Sequence, residues 1–264
     1  MTMLIRDIFK KFNEIIPCEN AADWDNSGEQ IKFSSEVVNR VLTTLEVTNE
    51  VIDEAISRNC NLILSHHPLI FTKFNTISDK HPKQKMIIRL ISNKISVYSA
   101  HTNYDIAEGG TSDYLTKQFD LNEVGVIPDT DGFAMQGRLK AEMKLGEFIK
   151  LACEVTDTPL KEVRFTGDVK KCIRMVGLCA GSGSEFLSNA YNAGCDVFVT
   201  GDVKYHTAQD SLELGIPVID MGHFHTEKYF AYQAAKIYGS KINSIENPIE
   251  FIPSEVDVNP FSML

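Results

Sequence analysis

The chain has 264 residues, 43% hydrophobic and 23% charged, the balance of an ordinary globular protein with length for one large or two small domains. With 36 acidic against 26 basic residues the formal charge is −10, which argues against nucleic acid as the primary ligand. No apolar run reaches the ~20 residues of a membrane span. The first residues lack a signal peptide's basic start, and six cysteines contain no CxxC pair, so a cytoplasmic protein with reduced thiols and no thiolate zinc is expected.

Short β-branched runs alternate with amphipathic stretches, the pattern of α/β architecture. Residues 41–47 read as a strand, and Thr48 as the N-cap of a helix with Val51, Ile52, Ala55 and Ile56 on its apolar face. A buried strand at 62–64 stops at Ser65-His66-His67-Pro68. A helix is expected over 83–92 with Met86, Ile87, Leu90 and Ile91 inward, then a strand at 95–99 ending at His101-Thr-Asn-Tyr-Asp105. Residues 126–170 hold turn formers, a strand at 133–139 and a helix at 145–155. A strand follows at 172–178, then Ser184 capping a helix through Phe186, Leu187, Ala190 and Tyr191, strands at 195–201 and 216–220, and a helix starting near Thr226. The tail, 242–252, reads as strand broken at Asn247-Pro248.

The second half repeats the first. Cys195-Asp-Val-Phe-Val-Thr-Gly201 matches Cys60-Asn-Leu-Ile-Leu-Ser-His66, Asp202 falls where His67 stood, and His223-x-x-x-Glu227 parallels His101-x-x-x-Asp105. The expected fold is α/β, in two related halves, with residues 1–125 plus 222–264 as one domain and 126–221 as the other.

His66, His67, Asp105, His223 and Glu227 all follow predicted strands, at the edge where open α/β sheets place their ligands. Each pair alone has a bland reading, as a strand-end coincidence or a helix cap; recurrence at equivalent strand ends favours metal binding. Imidazole with carboxylate suits Zn, Fe, Mn or Ni better than Mg or Ca. Three histidines and two carboxylates exceed a usual single catalytic ion and suit two divalent metal ions per chain. His101 and His225 are expected to line the site rather than ligate, and His81 to be solvated. Lys204, Tyr205 and His206 either line the site for an anionic substrate or simply start the next helix. Gly181-Ser-Gly-Ser184 reads as a tight turn rather than a phosphate loop.

Five segments taken together, Ala22-Asp-Trp-Asp-Asn-Ser-Gly28, Ser65-His-His-Pro-Leu-Ile-Phe71, Ala100-His-Thr-Asn-Tyr-Asp105, Gly201-Asp-Val-Lys-Tyr-His206 and Gly222-His-Phe-His-Thr-Glu227, resemble the GTP cyclohydrolase I type 2 homologue family, the Nif-three-like proteins. The resemblance implies a three-layer α/β/α fold with mixed sheets, a dinuclear metal cleft between the halves, and a ring-shaped homohexamer. It also implies that His67 and Asp105 hold one ion, His66 and His223 the other, and that Glu227 bridges them. The chain is of the short form, without a domain inserted between the halves, and departs from the family at Glu29-Gln30-Ile31, where an apolar run is usual. The family name implies hydrolytic opening of a purine at C8 with loss of formate, yet no residue here specifies guanine. The expected function is a metal-dependent hydrolase of a nucleotide or small phosphorylated compound, with His101 or His206 carrying protons. The alternative is a metal carrier, chaperone or accessory protein without turnover.

Overall fold

The computed structural model describes residues 3–243 and 248–262. In chain order the elements are α1 (Ile5–Ile15), β1 (Gly28–Ile31), β2 (Arg40–Thr44), α2 (Asn49–Ser57), β3 (Leu62–Ser65), α3 (Pro82–Ser92), β4 (Ser96–Ser99), α4 (Thr102–Asp105) and α5 (Thr111–Gln118). There follow β5 (Asn122–Val126), β6 (Met135–Lys144), α6 (Leu145–Thr156), β7 (Arg164–Phe165), β8 (Cys172–Leu178), α7 (Leu187–Asn192), β9 (Val197–Thr200), α8 (Tyr205–Leu214), β10 (Val218–Asp220), α9 (His223–Glu227), α10 (Phe230–Ile242) and β11 (Glu250–Pro253). The chain forms two compact units, Met1–Tyr104 with Tyr229–Pro260, and Asp105–Lys228 with Phe261–Leu264.

The first unit is built on a mixed sheet in the order β1-β4-β3-β2-β11. The three pairings among β4, β3, β2 and β11 are parallel, and β1 runs antiparallel along β4. Side chains alternate across a strand, so Leu42, Ile63 and Val97 meet Val51, Ile52 and Ala55 of α2 and Met86, Ile87 and Leu90 of α3 on one face. On the other face Tyr98 meets the rings of Phe9 and Phe12 edge-on, at 5.1 Å each, and Phe12 meets Tyr238 of α10 at 4.9 Å. Burying a ring such as Phe12 contributes about 1.5–3 kcal/mol. The expected Thr48 cap forms, its hydroxyl accepting from Val51 N at 3.3 Å. Ile56 and Ile91 are exposed, not inward. Each follows a buried neighbour by one residue, about 100° around the helix, and the buried stripe is too narrow for both.

The second unit carries a mixed sheet in the order β5-β6-β8-β9-β10-β7. Its centre, β8-β9-β10, is parallel and sequential, the same plan as β2-β3-β4. Val197, Val199 and Ile219 pack against α5 and α6 through Leu115, Phe148, Ile149 and Ala152, while Phe198 and Val218 turn to Leu187 and Ala190 of α7. Each sheet is thus sandwiched between helices, the three-layer arrangement that the resemblance implied.

Some expected elements differ. Ser184 starts a 3-10 turn (Ser184–Phe186) and caps nothing with its side chain; Leu187 and Ala190 are buried as expected, but Tyr191 is exposed. Helix α10 runs on through Ile242, where strand was expected, and strand begins only at Glu250; Asn247 lies outside the described residues.

Candidate metal centre

Parallel strands deliver the residues after β2, β3 and β4 to one edge of the first sheet. Beyond Ser65 the ladder continues for two residues, His66 N donating to Thr44 O and His67 N to Leu45 O, both at 3.0 Å. The pair is therefore held by backbone before any side chain acts. His66 is fully buried, its ring 4.8 Å from that of Phe230. The rings of His66, His67 and His101 cluster within 5.1 to 5.6 Å of one another. Each offers a nitrogen within 4.8 Å of the other two.

What holds these rings decides their chemistry. His66 Nδ1 donates to the Ala100 carbonyl at 2.8 Å, an oxygen that can only accept. His67 Nδ1 donates to Glu46 at 2.9 Å, and Lys83 Nζ donates to the other Glu46 oxygen at 2.6 Å. His101 Nδ1 donates to Asp25 at 2.8 Å, while Ser27 and Thr102 hydroxyls donate to the second Asp25 oxygen at 2.6 Å. Burial alone would raise both carboxyls. Hydrogen bonds from His67 and Lys83 outweigh it at Glu46, and those from His101, Ser27 and Thr102 hold Asp25 far below the ordinary carboxylate range. Both acceptors are therefore ionised and the Nδ1 atoms carry protons, so Nε2 is the nitrogen each ring turns away from its anchor.

The second unit gathers Asp105, His223 and Glu227. The five-residue helix α9 sets His223 and Glu227 four apart on one face, with Nε2 to Oε2 at 2.9 Å. His223 Nδ1 meets Asp202 at 2.8 Å, completing the same tautomer pattern. With a proton on Nε2 the two groups form a charge-assisted hydrogen bond across that 2.9 Å; without it they present two adjacent donors to one cation. Asp105 accepts from the Thr111 hydroxyl at 2.6 Å. Burial, followed by the nearby Asp105 and Glu227 carboxylates, pushes the Cys179 thiol far up, so it is no thiolate ligand.

Two glycines shape this half. Gly181 sits at φ +63°, and a Cβ there would lie 2.0 Å from Glu227 Oε1 and 3.3 Å from His223 Nε2. At Gly201 a Cβ would strike His223 N at 2.6 Å and Gly181 O at 2.8 Å. The Gly181-x-Gly turn is thus the floor under Glu227, a role that a reading as turn or phosphate loop does not contain. Glu46, Asp25 and Asp202 also went unassigned in the sequence, although Asp202 already stood at the repeat position of His67.

The remaining candidates are placed otherwise. His225 turns to Glu162, at 2.9 Å, and His81 is exposed at the start of α3. Lys204 and Tyr205 open α8, so the helix-start reading describes them; His206 is exposed in its first turn against the Tyr205 ring.

Residues 3–260 match the Duf34/NIF3 (NGG1p interacting factor 3) family. The chain belongs to the Duf34/NIF3 family. A Clostridium perfringens protein named GTP cyclohydrolase 1 type 2 homolog is 34% identical, with 99% of this chain and 100% of that one aligned. A Bacillus subtilis protein of the same name is 25% identical over 369 positions, covering 98% of each, so it carries an insertion that this Duf34/NIF3 member lacks. The fold is that of a Staphylococcus aureus hypothetical protein of known structure, at a TM-score of 0.92 and 26% identity over 100% of both chains. Among the described residues of this Duf34/NIF3 member, no helix is long and apolar enough to cross a membrane.

Proposed function

We propose that this Duf34/NIF3 protein holds two divalent metal ions per chain through His66, His67, Asp105, His223 and Glu227, and that it is a metal-dependent hydrolase of a nucleotide or another small phosphorylated compound. The observation that carries the metal reading is the common device behind the histidines. Nδ1 of His66, His67 and His223 is each tied to a carbonyl or carboxylate, which fixes the ring and turns Nε2 away from the anchor. Histidines that ligate metals ordinarily donate their other ring N–H to such a carboxylate or carbonyl. Nitrogen and carboxylate donors without thiolate fit Zn, Fe, Mn or Ni.

Such ions, when bound, supply Lewis acidity and a nucleophile from water at neutral pH. The chain's own part is to bind, orient and move protons. Glu227, 5% exposed and backed by Gly181, keeps a carboxylate fixed where charge must be balanced. His101, held by Asp25 in one tautomer, accepts and returns a proton at Nε2. His206 lies in the open on α8 and suits that task less well. The names of the relatives support the hydrolase reading and a nucleotide substrate; the homohexamer is proposed on the family resemblance alone.

The test begins with elemental analysis of metal-replete protein, where about two ions per chain are expected and fewer than about one overturns the reading. Turnover of GTP and a panel of phosphoesters is then compared with a Glu227→Ala variant. Activity lost in the variant supports the hydrolase; equal rates, together with ready release of metal to a chelator, favour a carrier or accessory protein instead.

A further inference from the structure

The first unit leaves two large aromatic side chains in the open beside His101. Trp24 is 65% exposed and Phe71 is 56% exposed, although both are ring types that folding normally covers. Their rings meet at 6.1 Å and 61°, and each meets the edge of His101, at 6.2 Å and 78° from Trp24 and 6.3 Å and 83° from Phe71. Near-perpendicular rings make a corner, one wall offering a π face and the other an edge.

The corner is held rigid from behind. Ala22 N donates to the Thr102 hydroxyl at 3.0 Å, and Asp25 binds His101 and Thr102, so Trp24 is anchored on both sides. The loop bearing Phe71 is stapled to the same segment: Asn26 Nδ2 donates to Ile70 O at 2.6 Å, and Ile70 N donates to Gln30 Oε1 at 3.0 Å. Gln30, one of the polar residues that depart from the family pattern, thereby earns a structural role. The same tethers hold Ile70 against the core of the first unit. They fix the position of two rings that touch solvent.

We propose that Trp24 and Phe71 form a stacking site for the flat base of a nucleotide. Its occupant is small and planar rather than a protein, because the apolar patch is two rings bordered by exposed Asp23, Asn26, Thr72 and Lys73, far below the ~800 Å² that a stable protein partner covers. Every nucleic-acid base has a π face to stack in such a corner. His101 ties the corner to the His66–His67 cluster, so a stacked base brings its attached groups toward those nitrogens. The inference names the substrate class for the hydrolase reading and rests on it for the meaning of the site, but not for its detection.

Trp24 is the chain's sole tryptophan, so its emission reports the corner directly. GMP, corrected against free tryptophan, is expected to quench it saturably in both metal-replete and chelator-treated protein, while ribose 5-phosphate leaves it unchanged. Phe71→Leu, which keeps bulk and loses the π face, is expected to weaken GMP about tenfold, and Phe71→Tyr to restore it. Absence of saturable quenching, an equal response to ribose 5-phosphate, or a change of oligomeric mass in Phe71→Leu overturns the stacking site. Because the quenching needs neither metal nor turnover, it can stand when the hydrolase reading fails, and the metal count can stand when the quenching fails.

Discussion

The histidines of this protein are arranged by their back nitrogens. Asp25, Glu46, Asp202 and the Ala100 carbonyl each take one Nδ1 proton, and the other face of each ring is left to coordination or proton transfer. Because Asp25 is held well below its ordinary value of 3.8, it contributes stability that is present above that value and lost as pH falls through the folded one. Asp25→Asn is therefore expected to lower stability at neutral pH and to flatten acid unfolding below about pH 4, measured by denaturant titration at several pH values. Gly181 offers a second test. Its positive φ costs a side chain roughly 1–2 kcal/mol, and a Cβ 2.0 Å from Glu227 must displace that carboxylate. Gly181→Ala is expected to lower bound metal well below wild type while circular dichroism stays native; unchanged metal content would remove Glu227 from the ligand set.

At the scale of elements, the strands that carry the site were the easiest to read. Residues 62–64, 95–99 and 172–178 are short apolar runs bounded by turn residues, and each became an inner strand with at least one parallel neighbour. Two edge strands did not stand out: β1 is the polar Gly28–Ile31, bulged between Glu29 and Ile31, and β5 is mostly exposed. Edge strands lack a buried face on both sides and so lack the pattern. The Thr48 cap was legible because a hydroxyl before an apolar helix face satisfies an orphan N–H locally. Thr48→Ala is expected to cost about 1 kcal/mol, seen as a lower denaturant midpoint with unchanged slope. The Ser184 cap was not realised, since the 3-10 turn there hands the helix start to Phe186.

Across the whole molecule, two units repeat one βαβαβ plan, β2-α2-β3-α3-β4 and β8-α7-β9-α8-β10, and each brings histidine or carboxylate to the carboxyl edge of its sheet. If the ions bind the folded chain alone, their removal lowers apparent stability, by about 2.7 kcal/mol for a metal present at a hundredfold its dissociation constant. Chelation is expected to lower the melting temperature and re-addition of Zn or Mn to restore it; a melting curve indifferent to both would argue that these donors are not metal ligands. The amino-acid sequence by itself determined the α/β class, the repeat and the candidate ligands, because hydrophobic period and strand-end chemistry are local properties carried by a few neighbouring residues. Only the tertiary structure decided which carboxylate stands behind which histidine, that Gly181 underlies Glu227, and that Trp24 and Phe71 share a corner. Those are relations between residues 21 to 76 positions apart, set by sheet register and loop tethers, and they leave no periodicity in the chain to be read.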